Sequence, residues 1–465
     1  MNTSENIFSG IKNIHLIGIS GIGMSGIAEY LVQKKKYNVT GSDLNPGPSG
    51  RKLMAHGVKV FEGHKAENLS DDTDLVIYTS AVNEDNEELK KSRELNIKAV
   101  KRAEALGSIV NEMFMIAVCG THGKTTTTSM IAKILIDNKL DPTVFVGGNL
   151  DFLDGGTSRI GKSNIAIVEA DEYDRSFLKL KPDIIVITNI EEDHLDIYKD
   201  INDIKESFRE FLQNGKKDLK IIACGDDENV TDVIKEFPKK ITYGFKKSND
   251  TVIASAGYEK SSIAFQIGSE YLRIKVFGNH NILNSTAAYI AANNFGIKSE
   301  GFNESMKTFT GVKRRMELKY VNGIKIYDDY AHHPTEVKVT LEAMRRLHEG
   351  RIITVFQPHL YTRTRDFYKE FAEAFKNTDL LLLTKIYPAR EESIPGVTSE
   401  LILKEFNSFG KEGKYYEDND KLLSEMEVIC KDGDVIIFQG AGDITDICSK
   451  FIKRMKKNQN WTVPL

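Results

Sequence analysis

Short apolar runs that end abruptly in small or polar residues recur along the whole chain. The first, Ile14-His15-Leu16-Ile17-Gly18-Ile19, predicts a buried strand. It feeds Ser20-Gly21-Ile22-Gly23-Met24-Ser25-Gly26 and then a helix expected from Ile27 to about Gln33. Val39-Thr40-Gly41-Ser42-Asp43 predicts a second strand with an acidic end, and Leu75–Tyr78 and Ile97–Val100 two more. The pattern then restarts. Ile116-Ala117-Val118-Cys119 runs into Gly120-Thr121-His122-Gly123-Lys124-Thr125-Thr126, with a helix expected from Thr125 to about Asp137. Ile165–Val168 leads to Glu169-Ala170-Asp171-Glu172, and Ile184–Ile187 to Thr188-Asn189-Ile190-Glu191-Glu192-Asp193-His194. Residues 220 to 275 read as a meander of short strands, followed by Phe277-Gly278-Asn279-His280-Asn281-Ile282-Leu283-Asn284 and a small-residue helix over Ser285–Ala292.

A third stretch repeats the alternation from about Gly311. Strand Ile324–Tyr327 leads to Asp328-Asp329-Tyr330-Ala331-His332-His333-Pro334, Ile352–Phe356 to Gln357-Pro358-His359-Leu360-Tyr361-Thr362-Arg363, and Val435–Phe438 to Gln439-Gly440-Ala441-Gly442-Asp443. Strands alternating with helices predict an α/β fold, and in such sheets ligands gather at the carboxyl ends of strands. Three domains are expected, over 1–110, 111–311 and 312–465.

Composition narrows the class little. The 465 residues are 40% hydrophobic, enough for sizeable cores, and the net charge of −4 gives no basic footprint for nucleic acid. Cys119, Cys224, Cys430 and Cys448 show no CxxC spacing, so neither a zinc site nor a disulfide framework is expected. The polar start, Met1 to Gly10, lacks the basic-then-apolar layout of a leader, and no apolar run of roughly 18 residues appears. A cytoplasmic protein is expected.

The candidate chemistry lies in the polar clusters. Gly120 to Thr126 has the layout of a nucleotide phosphate loop of a shortened type, since Val118 stands where the usual pattern has its first glycine. Backbone N–H groups at such a turn and helix start attract an anion, Lys124 reaches the terminal phosphates, and the Thr125 hydroxyl faces Mg²⁺. Glu169 and His194, each just beyond a strand, supply oxygen and imidazole ligands for the same ion. The Gly21–Gly26 loop with Asp43 beyond it lets a pyrophosphate approach a helix N-terminus and a ribose hydroxyl meet a carboxylate. A nicotinamide enzyme would use a doubled, six-stranded unit; this one ends early, which points to a mononucleotide-type ligand such as a UDP-sugar. His280, Asn281 and Asn284 exceed what capping requires and suit a purine base or its phosphates, although Asn at a helix start also caps.

Taken in order, these motifs resemble the Mur ligase family across essentially the whole chain. The resemblance implies a Rossmann-like UDP-binding N-terminal domain, a central P-loop ATPase domain with a mixed sheet, and a Rossmann-like C-terminal domain. It implies ATP-dependent amide formation, through an acyl phosphate, between L-alanine and the lactyl carboxylate of UDP-N-acetylmuramate. The rival within the family attaches a whole tripeptide in murein recycling, and the Gly21–Gly26 loop favours the alanine reaction. By the resemblance Lys124 stabilises the transferring phosphoryl group, and Thr125, Glu169 and His194 hold two Mg²⁺ ions. His280, Asn281 and Asn284 face ATP, with Arg315 and Asp329 closing over it. Gly21, Gly23, Met24, Ser25, Ser42 and Asp43 line the UDP site, while His332, His359 and Arg363 hold the muramoyl carboxylate and the amino acid. Some members use a carbamylated lysine for the second ion, for which Lys199 and Lys205 are the nearby candidates. A monomer or weak dimer is expected.

Overall fold

The computed structural model describes residues 6–195, 197–259, 262–389 and 391–457. The N-terminal run read above for a leader therefore lies partly outside the described residues. Three sheets carry the chain. The first has five parallel strands in the order Lys59–Glu62, Asn38–Asp43, Asn13–Ile17, Leu75–Tyr78 and Lys98–Lys101. The edge strand Lys59–Glu62 carries no apolar run and is absent from the sequence reading. The sheet stops one strand short of the six of a dinucleotide fold.

The second sheet has ten strands and is mixed. At its centre Phe114–Cys119 lies between Ile184–Ile187 and Ile165–Glu169, parallel to both. Ile116, Ala117 and Val118 are fully buried, as expected for a strand covered on both faces, which explains the unbroken apolar run. The expected meander over 220–275 is corrected. Lys220–Cys224, Lys240–Gly244 and Thr251–Tyr258 extend the sheet in parallel, and only the hairpins through Ile263–Ile267 and Glu270–Ile274 are antiparallel. A parallel pair needs a crossover, here provided by the short polar helix Glu228–Val233.

The first helix spans Ile22–Gln33 rather than starting at Ile27. Glycines at 23 and 26 lower its intrinsic propensity, but packing requires them. A Cβ on Gly26 would lie 3.3 Å from Phe145 Cδ1 and 3.1 Å from Ser158 Cβ. The helix thus lies flush on the antiparallel pair Thr143–Leu150 and Gly156–Arg159, and Thr157 Oγ1 and Ser158 Oγ donate to Ile22 O and Glu29 Oε2. The first two sheets accordingly fall in one compact unit, Met1–Val276 with Asn281–Thr310.

The second unit, Phe277–His280 with Gly311–Leu465, is built on a six-stranded sheet. Its parallel strands Ile324–Asp329, Val435–Gln439, Ile352–Phe356, Leu380–Leu383 and Glu412–Tyr415 are joined by an antiparallel edge, Glu317–Asn322. Apolar side chains pack on both faces of this sheet, around Phe356, Phe371 and Phe375 on one and Phe438 and Phe451 on the other.

Candidate functional site

Gly120 and Gly123 both have left-handed backbones, with φ of 129° and 83°. Between them the chain turns out of the central strand and caps the helix Lys124–Asp137, which begins one residue earlier than expected. Asn189, at the end of the neighbouring strand, holds the turn in place. Its carbonyl accepts from Thr121 N at 3.0 Å, its Oδ1 accepts from His122 N at 2.8 Å, and its Nδ2 donates to His122 O at 3.0 Å. Thr188 Oγ1 also donates to His122 O, at 2.6 Å. The sequence shows both residues inside a motif but gives no sign that they brace the loop from outside.

Lys124 does not project into solvent. Its Nζ donates to Gly120 O at 2.6 Å, Thr121 O at 3.1 Å and Glu172 Oε1 at 2.8 Å. Burial works against the ammonium, yet the carboxylates of Glu172, Asp171 and Glu169 outweigh it and its pKa is raised. Thr125 Oγ1 donates to Glu169 Oε1 at 2.8 Å, and Gly147 N donates to Glu169 Oε2 at 2.6 Å. Burial raises the Glu169 pKa despite those bonds.

His194 has a left-handed backbone, φ 54°, which turns its ring toward the same carboxylates. Its Nε2 is 3.7 Å from Glu172 Oε1. Burial disfavours its charge, but Glu172 and Asp193 overcome that and raise its pKa. Glu172 Oε2 is buried and has no hydrogen-bond partner among the described residues. The Thr125 hydroxyl, the Glu169 carboxylate and the His194 imidazole form a donor set that fits Mg²⁺. Lys199 is exposed, and Lys205 is held by Asp232 at 2.5 Å.

Asn284 reaches the same loop, with Asn281 bonded to it. Asn284 Nδ2 donates to Asn281 Oδ1 at 3.2 Å, and Asn284 Oδ1 lies 2.6 Å from where a Gly123 Cβ would stand.

In the N-terminal sheet the glycine turn closes on Asp43, whose Oδ2 accepts from Ser20 N and Oδ1 from Asn45 N, both at 3.0 Å. The Asp43 carboxylate thus already shapes the loop expected to receive a ribose. Gly21 caps the helix, and Gly23 faces Arg102, whose Cδ would lie 3.0 Å from a Cβ. Ser42 Oγ donates to Glu88 Oε2 at 2.5 Å and lies 2.9 Å from His64 Nδ1. Met24 and Ser25 are both buried, Met24 in the core and Ser25 with its Oγ donating to Ile22 O at 3.2 Å. Both stand in the first turn of the helix Ile22–Gln33.

In the second unit, Asp329 is buried, accepting from Gln439 Nε2 at 3.0 Å and Met316 N at 3.1 Å, and burial raises its pKa. Arg315 pairs with Glu336 at 3.3 Å and lies over the Tyr330 ring. His332, His359 and Arg363 come together: the two rings are 5.8 Å apart, and Arg363 Nη1 is 3.3 Å from His359 Nδ1. Arg363 is buried rather than a surface arginine. Tyr387, which no motif marks, stacks on His359 with centroids 5.7 Å apart.

His280 belongs to this unit. Burial, then Arg315, pushes its pKa down from 6.5 to about 4. Below pH 6.5 the unfolded chain takes up a proton that the folded one refuses, so stability falls with pH until about 4. Melting temperatures measured across that range should fall less steeply for His280→Gln than for the unsubstituted protein; identical slopes would show that the ring is not held neutral.

Three family models match the chain in succession: the Mur ligase family catalytic domain over 13–113, the Mur ligase middle domain over 118–292, and the Mur ligase glutamate ligase domain over 314–442. A UDP-N-acetylmuramate–L-alanine ligase of Acetivibrio thermocellus is 42% identical over 95% of this chain and 96% of its own. The chain belongs to the Mur ligase family. A ligase of the same name from Clostridium tetani is 43% identical over 95% of this chain and 98% of its own. Among solved structures, the UDP-N-acetylmuramate–alanine ligase of Thermotoga maritima superposes with a TM-score of 0.83 at 28% identity, covering 97% of this chain and all of that one. A murein peptide ligase of Psychrobacter arcticus, at 24% identity and a TM-score of 0.70, shares the fold. This Mur ligase therefore has the three-domain α/β architecture expected from its sequence. No helix among its described residues is long and apolar enough to cross a membrane.

Proposed function

We propose that this Mur ligase joins L-alanine to the lactyl carboxylate of UDP-N-acetylmuramate at the expense of ATP, in peptidoglycan precursor synthesis. What carries the reading is the phosphate loop, with Lys124 and Thr125 set against buried carboxylates. The lactyl oxygen attacks the γ-phosphorus, the bond to ADP breaks, and an acyl phosphate forms. The alanine amine then attacks the acyl carbon, loses a proton, and inorganic phosphate leaves. Loop N–H groups and the positive end of the helix Lys124–Asp137 receive the phosphates, and Lys124 follows the charge as it moves to the leaving oxygen.

Thr125, Glu169 and His194 are assigned to Mg²⁺, which when bound would offset charge on the phosphates. Gly120 to Thr126, His280, Asn281, Asn284, Arg315 and Asp329 are assigned to ATP. The N-terminal loop, through Gly21, Gly23, Met24 and Ser25, with Ser42 and Asp43, is assigned to UDP. His332, His359 and Arg363 are assigned to the sugar acid and the amino acid, where a buried guanidinium beside two imidazoles suits a carboxylate. Domain limits at 110/111 and 311/312, a cytoplasmic location and a monomer or weak dimer complete the proposal.

Phosphate release from ATP and Mg²⁺, measured with UDP-N-acetylmuramate and L-alanine, with the tripeptide, or with no acceptor, tests it. Release that needs both the sugar and L-alanine supports the reading. Release with the tripeptide alone would move the enzyme to murein recycling.

A further inference from the structure

Glu172 is the carboxylate in the phosphate site for which the reaction above has no task. It is 3% exposed. Its Oε1 takes the Lys124 ammonium at 2.8 Å and lies 3.7 Å from His194 Nε2, while its Oε2 is buried without a hydrogen-bond partner among the described residues. Stranding a buried acceptor costs about 1–3 kcal/mol, and more for a charged group. The backbone fixes the arrangement: Tyr198 OH donates to Glu172 O at 2.6 Å, and left-handed Asp174 and Arg175 follow, at φ 53° and 52°. Such local strain persists where surrounding structure enforces it and clusters at functional sites.

The Lys124 side chain is turned back onto the carbonyls of its own loop, Gly120 O and Thr121 O, and Glu172 is the acid that holds it there. An ammonium in that position has to leave Glu172 before it can serve a terminal phosphate. Once it leaves, Oε1 keeps only the His194 ring at 3.7 Å and Oε2 has no partner among the described residues, a combination that a hard cation relieves.

We propose that Glu172 is a positioning residue with two successive partners: it parks Lys124 until phosphates draw the ammonium away, and then turns its freed carboxylate to the Mg²⁺ held by Glu169 and His194. This rests on the ATP reading above. One carboxylate then couples arrival of the nucleotide to retention of the metal.

The test is calorimetric binding of a non-hydrolysable ATP analogue to the full-length protein, with Mg²⁺ and in EDTA, for the unsubstituted chain, Glu172→Gln and Glu172→Asp. Glu172→Gln is expected to bind the analogue more tightly in EDTA, because Lys124 no longer has to leave an anion. In the same variant the Mg²⁺ needed to strengthen binding should rise roughly 10- to 100-fold. Glu172→Asp should restore part of the Mg²⁺ response. A Glu172→Gln protein that is merely less heat-stable, with binding in EDTA and in Mg²⁺ weakened by one common factor, would overturn the proposal, as would unchanged binding in both. An unsubstituted protein that binds no analogue would overturn the ATP reading itself, an outcome evident before any variant is compared.

Discussion

Replacing Lys124 by alanine is expected to lower kcat by roughly 10²–10³, the scale of removing one preorganised charge-stabilising group. The argument is one of place. Lys124 is the first residue of the loop helix, and its ammonium is drawn in by Glu172, Asp171 and Glu169. None of those acids can substitute for it at a phosphoryl group. The same substitution should also destabilise the fold, because it strands buried carboxylates; breaking a buried pair from one side costs about 3–5 kcal/mol. In the native protein burial raises the Glu172 pKa, but Lys124 and His194 more than reverse that and leave it lowered. Without Lys124 that carboxyl protonates more readily, so the deficit in melting temperature should shrink as pH falls. Rapid-quench phosphate release and melting curves at two pH values read both effects. Near-normal turnover in Lys124→Ala would remove the phosphate loop from the mechanism.

Gly120→Ala should be nearly as damaging, for a different reason. Gly120 has φ of 129°, and an added Cβ would stand 2.9 Å from Asn189 O and 3.0 Å from Asn189 N. Those are backbone atoms of the next strand's end and cannot step aside as a side chain would. The turn has to move, and the Asn189 and Thr188 bonds to His122 move with it. Displacement of reacting groups by about 1 Å can cost on the order of 10²-fold in rate. Gly21 offers the contrast: its φ is −58° and a Cβ would stand 3.4 Å from Gly18 O. Gly21→Ala should therefore fold normally. Steady-state kinetics on both variants test the pair. A Gly120→Ala enzyme as active as the unsubstituted protein would mean that the left-handed turn does not set the loop.

How much of this was legible in the sequence depended on whether a residue's role was local. The phosphate loop was, because a glycine turn, a lysine and a threonine at a helix start form one continuous signal. The fold class was too, since strands buried on both faces read as unbroken apolar runs. Asn189 and Glu172 were quoted within motifs yet received no role, because their work is done across the sheet, on residues some 50 to 70 positions away. The sequence places the start of the first helix late because Gly26 answers to Phe145 and Ser158, which periodicity does not show. The parallel strands after residue 220 read as a meander because the crossover Glu228–Val233 is six residues long and too polar to declare itself a helix. The motif marks Met24 without showing that its side chain packs in the core.

Cys119 closes the strand that delivers the phosphate loop, and its Sγ lies 3.5 Å from Val186 O, fully buried. Burial pushes its thiol pKa up, and it does the same to Cys224, to about 11, and to Cys430 and Cys448, to about 12. Thiolates, not thiols, attack electrophiles. Cys119, fully buried one residue from the phosphate loop, therefore offers a covalent inhibitor little to attack, and oxidants that disable thiolate enzymes would spare it.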